Sequence, residues 1–318
     1  MAGVGPGGPS MMDTRGVRSA RLMSVAAVLL AGACWCPSQT APSWKSAVQK
    51  AAPDARILIL DIGSGHLLAA RHLDEASRTL AAPGSTLKPL VLYGLVAEGR
   101  WDPARRVACS RKLRISGRSL DCSHPAADPM DAQEALAWSC NSYLAAVAGT
   151  LAPGELRSLM APTGLLAQTG LTRDAHGGEA TAEFREPKTA DQTKLALLGV
   201  EGLRVTPLEL ASAYRWLAMQ LAAHAGSAAA NVVGLGLQDS ANFGMAGAAA
   251  LGGVPVAGKT GTASLGPGTG SHGWFVGLAP SDHPTVVMAI YLPAGRGTDA
   301  ALVAAEVLAQ SPLRGERR

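Results

Sequence analysis

Ser85 is followed three residues later by Lys88 and then by Pro89, at the mouth of an apolar run that ends near Val96. At the start of a helix, positions i and i+3 share a face, so the hydroxyl and the amine project together. A serine hydroxyl becomes a nucleophile only with a base beside it, and a buried lysine of lowered pKa can be that base. The helix start adds backbone donors and the positive end of the dipole. Pro89 costs little in a first turn, and Gly84 lets the chain bend sharply before the serine. Taken alone, the same four residues also describe an ordinary capped helix with an exposed lysine.

Two further motifs favour the chemical reading. Ser139-Cys140-Asn141 falls 54 residues after Ser85, at the break of the stretch "AQEALAW", where a second hydroxyl and a carboxamide could face the Ser85 and Lys88 pair. Lys259-Thr260-Gly261-Thr262-Ala263 falls 120 residues after Ser139, in a run of strand character. Each triplet alone fits a cap or a bulge. Their order, spacing and settings together are far more specific than any one of them alone.

Elements able to hold these residues follow from periodicity. "ARILILDIGSGHLLAAR" reads as a hairpin around Gly63-Ser64-Gly65, and Leu87 to Val96 as a helix ended by Gly99. A helix is expected from Asp128-Pro129 to Ser139, and a weaker one over about 239 to 251. Thr206-Pro207-Leu208-Glu209 is a capping box with proline at the first helical position, opening "PLELASAYRWLAMQ". "VPVAGKTGTA", "HGWFVGLAP" and "TVVMAIYLP" read as strands, and "DAALVAAEVLAQ" as a closing helix. Strands at both ends with helices between predict an α+β fold of three α/β/α layers. Its antiparallel sheet of about five strands is built from both chain ends, flanked by helices, with an inserted all-helical lobe.

The chain has 318 residues, 47% hydrophobic and 16% charged, which suits one large domain with a sizeable core. Its net charge of +4 and scattered basic residues argue against a nucleic-acid partner; the basic run "RRVACSRKLRISGR" reads as a solvated loop. Arg15, Arg18 and Arg21 precede "LMSVAAVLLAGA", which ends in Ala31-Gly32-Ala33, the pattern of an export signal over residues 1–33 and too short to span a bilayer comfortably. Cleavage after Ala33 would leave Cys34 first, so a lipid anchor at Cys34 and a soluble exported form stand as alternatives. Residues 34–50 read as a tether and 51–312 as the catalytic domain. In an oxidising compartment Cys109 and Cys122, which flank a polar loop, are expected to pair as a disulfide while Cys140 stays reduced. The cysteines show no metal-ligand spacing, and neither metal nor cofactor is expected.

"PGSTLKP", "WSCNSYL", "RVTPLELASAY", "VAGKTGTA" and "GWFVGLAP" resemble stretches of the penicillin-binding protein transpeptidase domain, over roughly residues 54 to 310. The resemblance implies a β-lactamase/transpeptidase-like fold and an acyl-serine enzyme in the periplasm or on the outer face of the membrane. Ser85 would attack a D-alanyl-D-alanine peptidoglycan stem peptide, in transpeptidation or carboxypeptidation, or a β-lactam that mimics the peptide. Lys88 would take the proton, Ser139 would relay one to the leaving nitrogen, and Asn141 would hold a substrate amide and orient Lys88. Lys259 would attract the substrate carboxylate, with the Thr260 and Thr262 hydroxyls beside it. Backbone N–H groups of Ser85 and Thr262 would form the oxyanion hole. Gly261 would let substrate backbone approach the strand. Trp138 and Trp274 fit the core better than the cleft. Only about twenty residues separate the signal from the first strand, which argues against the large multidomain members of the family. A serine β-lactamase using Glu186, and a sensor that binds without turnover, are the alternatives.

Overall fold

Along β1, Arg56–Asp61, successive aliphatic side chains enter opposite cores: Leu58 and Leu60 lie on one face of the sheet, Ile57 and Ile59 on the other. Strands covered on both sides read as continuous apolar runs, and the C-terminal strands share the pattern. The structure, a computed structural model, describes Gly3 and residues 42–125, 129–152, 154–172, 178–266 and 268–315. Apart from Gly3, these residues belong to one unit, Ala41–Arg318. The expected export signal, Cys34 and most of the expected tether lie outside the described residues.

In chain order, α1 (Trp44–Lys50) is followed by the hairpin of β1 and β2 (Leu67–Arg71) and the short α2 (Leu73–Ala76). A 3₁₀ turn, Gly84–Leu87, runs directly into α3 (Lys88–Ala97). The inserted region carries β3 (Arg114–Ile115), β4 (Arg118–Ser119), α4 (Ala132–Ala137), α5 (Asn141–Ala148) and α6 (Glu155–Met160). It continues through β5 (Glu183–Phe184), α7 (Ala190–Leu197), β6 (Leu203–Arg204), α8 (Pro207–Ala223) and α9 (Ala228–Asn242). The chain closes with β7 (Ala257–Ser264), β8 (Ser271–Ala279), β9 (Val286–Leu292) and α10 (Gly297–Ala309).

The five long strands form one antiparallel sheet in the order β2-β1-β9-β8-β7, so the two chain ends meet where β1 pairs with β9. One face packs on the inserted helices, with α8 and α9 nearest the sheet; the other is covered by α1 and α10. The expected three layers and five strands are present. The insert departs from all-helical in its two short ladders, β3–β4 and β5–β6.

Three boundaries differ from expectation. The end of the tether is a helix, α1, capped by Ser43 and anchored by buried Ala47 and Val48 against β2 and α10. Asp131, not Asp128, caps α4, because its carboxylate accepts from Glu134 N–H while the Glu134 side chain returns the bond. The helix expected near 239 to 251 instead spans 228–242, capped by Ser227. It stops where Gly244 meets the α4 end, so tightly that a Cβ there would lie 2.3 Å from Ala137 O. The α8 capping box forms as expected: Glu209 accepts from Thr206 N–H at 2.8 Å and Thr206 Oγ1 from Glu209 N–H at 3.1 Å.

Candidate active site

Ser85 stands on the 3₁₀ turn before α3, half-buried on a cleft of about 800 Å³ whose lining also includes Ser139, Asn141, Thr260 and Thr262. The turn is clamped from two sides. Gly84, at φ 55°, lies so close to β7 that a Cβ would sit 2.9 Å from Thr262 O, and its N–H donates to Gly199 O at 2.9 Å. Gly199, at φ 70°, has room for no side chain, since a Cβ would fall 2.2 Å from Gly84 O. From below, Tyr214 Oη on α8 donates to Thr86 O at 2.8 Å. Gly199 escaped the sequence reading because nothing in "LLGVEGL" marks a glycine as a contact rather than a turn.

Lys88, the first residue of α3, is fully buried, and Nζ donates to Ser139 O at 2.8 Å, Asn141 Oδ1 at 2.7 Å and Ser139 Oγ at 3.3 Å. An ammonium has three donors, so this set satisfies it. Burial nevertheless lowers its pKa to about 8, against a partial upward pull from the Cys140 and Cys122 sulfurs. Asn141 is held in turn by donating to Leu120 O at 2.9 Å. Ser139 links α4 to α5 at φ 56°, a left-handed conformation that a non-glycine residue holds only where its surroundings fix it. The sequence motifs are therefore brought together as expected. A base must be neutral to accept a proton, so any acylation of Ser85 should speed up as pH rises through about 8 and then level off. Rates measured across that range that show no inflection would refute a Lys88 base.

The opposite wall is β7, the edge strand of the sheet, whose outer backbone groups are free of a strand partner. Lys259 is fully buried, donates to Thr260 O at 3.1 Å, and has its pKa pushed well below the ordinary lysine range by burial and by the Lys88 charge. Thr262 is exposed, and its Oγ1 accepts from Gly297 N–H at 2.9 Å. Gly261 does not act as expected. A Cβ there would lie 2.5 Å from Pro83 O, so its missing side chain admits the nucleophile turn rather than substrate backbone. Gly199→Ala should cost more than about 1 kcal/mol from its positive φ alone. Its overlap with Gly84 should also displace the serine and slow acylation, checked by urea unfolding and labelling rate.

Trp274 is core, fully buried, with Nε1 donating to Ala82 O at 2.9 Å. Trp138 packs against Phe243 and His124, with ring centroids at 5.8 and 6.4 Å. Glu186 pairs with Arg157 at 3.0 Å and lines a separate small pocket. The carboxylate on the cleft lining is Asp121, whose Oδ1 accepts from Leu113 N–H at 3.0 Å.

The cysteines depart most from expectation. Cys109, Cys122 and Cys140 are free thiols, and no Cys109–Cys122 disulfide closes the loop. Cys140 turns away from the cleft into the core, 3.9 Å from Cys122 Sγ. The expectation of no metal-ligand pattern also fails in three dimensions: His124 joins the three sulfurs, and the four ligand atoms lie within 4.8 Å of one another. Cys122 and His124 are two residues apart, but Cys109 and Cys140 come from separate stretches of chain, so the sequence does not show the four converging.

Residues 57–311 match the family model described as the penicillin binding protein transpeptidase domain. The chain belongs to this family. Among solved structures it is similar to the apo transpeptidase domain of Burkholderia pseudomallei penicillin-binding protein 3, at 21% identity and a TM-score of 0.70, covering 88% of this chain and 98% of that one. It is also similar to a peptidoglycan glycosyltransferase from Burkholderia ambifaria, at 21% identity and a TM-score of 0.69, covering 86% and 92%. A third similarity is to Pseudomonas aeruginosa PBP2 in complex with WCK 5153, at 21% identity and a TM-score of 0.65, covering 83% and 74%. At these identities the likeness bears on the fold. No curated protein matches the sequence.

Proposed function

We propose that the protein is an exported acyl-serine D,D-transpeptidase or D,D-carboxypeptidase, acting on D-alanyl-D-alanine stem peptides and acylated by penicillins. The observation that carries this reading is the buried Lys88, held by Ser139 and Asn141 one turn from Ser85, on a cleft closed by the open edge of β7. Neutral Lys88 takes the Ser85 proton as the hydroxyl oxygen bonds to the terminal peptide carbonyl carbon. The carbonyl oxygen, now negative, is held by backbone N–H groups of Ser85 and Thr262. Ser139 Oγ, 3.3 Å from Lys88 Nζ, passes a proton to the departing D-alanine nitrogen. An amine or water then attacks the acyl-serine, which separates transpeptidase from carboxypeptidase. An extended peptide fits beside β7, whose outer N–H and C=O groups can pair with it. Its carboxylate brings a counter-charge that buried Lys259 lacks among the described residues, where it donates only to Thr260 O, and Thr260 and Thr262 add hydroxyls.

The test is the fate of bound penicillin. This reading expects an adduct that lasts minutes or longer, together with turnover of a D-alanyl-D-alanine peptide. Release of hydrolysed penicillin over many cycles would make it a β-lactamase, and a lasting adduct without peptide turnover a sensor. Glu186, the base the lactamase reading names, pairs with Arg157 beside a separate pocket that does not include Ser85, which weighs against that reading. Export, with or without a lipid on Cys34, rests on the pattern of residues 1–33 and is tested by the mass of the first peptide from the native host. Retention of Met1 through Ala33 in a cytosolic fraction would exclude it.

A further inference from the structure

We propose that Cys109, Cys122, His124 and Cys140 bind one zinc ion in a closed tetrahedral site that fixes the turn carrying Ser139 and Asn141. Around zinc, thiolates at about 2.3 Å and an imidazole nitrogen at about 2.0–2.1 Å stand roughly 3.8 Å apart sulfur to sulfur and roughly 3.6 Å sulfur to nitrogen. Cys122 and Cys140 sulfurs are 3.9 Å apart, and Cys109 Sγ is 3.5 Å from His124 Nε2. These two pairs already stand near metal-bound spacing, and all four ligand atoms lie within 4.8 Å of one another, so short side-chain movements would close the set. Soft thiolates with one imidazole select zinc over calcium or magnesium.

The surroundings are those of a ligand set. His124 Nδ1 lies 2.7 Å from Pro125 O; donating there puts its proton on Nδ1 and leaves the Nε2 lone pair facing the sulfurs. Cys122 Sγ accepts from Asn141 N–H at 3.3 Å, and Cys109 Sγ from Arg111 N–H at 3.4 Å. Cys122, His124 and Cys140 are buried, while the partly exposed Cys109 leaves a path of entry. Zinc enters as its hydrated dication, each bound thiol gives its proton to solvent, and the coordinated waters leave. Four protein ligands leave no open position, so the role is structural.

That role has an address. Cys140 lies between Ser139 and Asn141, and Cys122 Sγ accepts the Asn141 N–H, so the metal would tie the loop of residues 109–124 to the turn that holds Lys88 Nζ.

The experiment uses the full chain, reduced, loaded with zinc and gel-filtered. It should retain about one zinc per chain, and cobalt in its place should give tetrahedral bands with thiolate charge transfer. Cys109→Ser should weaken retention by at least the roughly 10–100-fold typical of losing only an outer-shell partner, and cut the charge-transfer intensity by about a third. His124→Ala should also lose zinc but keep that intensity per bound cobalt. Circular dichroism confirms that both variants fold. Ser85→Ala should keep its zinc, so metal retention is read independently of the proposed function. Chelation should slow penicillin acylation, a consequence that does rest on acylation at Ser85. A folded wild type that holds no zinc and shows no cobalt bands overturns the site, as does zinc held equally by both variants.

Discussion

Ser85→Ala is expected to abolish covalent labelling by a fluorescent penicillin while leaving the chain folded. The hydroxyl is half-buried on the cleft lining rather than packed in the core, and such substitutions usually change stability by no more than about 0.5 kcal/mol. The Gly84 and Gly199 clamp and the bond from the Tyr214 hydroxyl to Thr86 O do not involve the Ser85 side chain, so the substitution leaves them in place. Gel fluorescence reads the labelling and urea unfolding reads the fold. An adduct that survives the substitution would place the nucleophile elsewhere.

Lys88→Met removes the base but keeps an apolar stem of similar length. Acylation should slow by roughly a hundred- to ten-thousand-fold, the usual contribution of a positioned general base. Stability should also change, because Ser139 O and Asn141 Oδ1 lose the donor that satisfies them, at about 1–3 kcal/mol for each acceptor left unpaired. Relief from burying an amine offsets part of that loss. Stopped-flow acylation with matched denaturation curves separates the two effects. A rate within about tenfold of wild type would remove Lys88 from the base role.

The sheet was legible because strands covered on both faces are apolar throughout, as in Val286–Leu292, and because the apolar runs cluster at the two ends of the chain. The Ser85 and Lys88 pair was legible because a helix start fixes i and i+3 on one face. Ser139 and Asn141 were legible because a polar break between helices must present its side chains. What sequence could not show depends on contacts between distant segments. Gly261 looks like a place for substrate, yet what fills its space is Pro83 O, some 180 residues earlier. Gly199 looks like a turn and acts as a wall for Gly84. Cys109 and Cys122 bracket a loop, which invites a disulfide, but Cys140 enters the same space from a separate stretch and His124 joins it from just beyond Cys122. The start of α9 was missed because its alanines and glycines carry little periodic signal, and its end is set by the close approach of Gly244 to α4.

The most direct measurement is incubation of the zinc-loaded full chain with a D-alanyl-D-alanine stem peptide, with and without an amine acceptor, followed by mass spectrometry of the products and of the rapidly quenched protein. The account predicts release of the terminal D-alanine, an acyl group on the peptide that contains Ser85, and either a cross-linked product with the acceptor or the trimmed peptide without it. Intact stem peptide and an unmodified Ser85 peptide, from protein that is folded and metal-loaded, would contradict it.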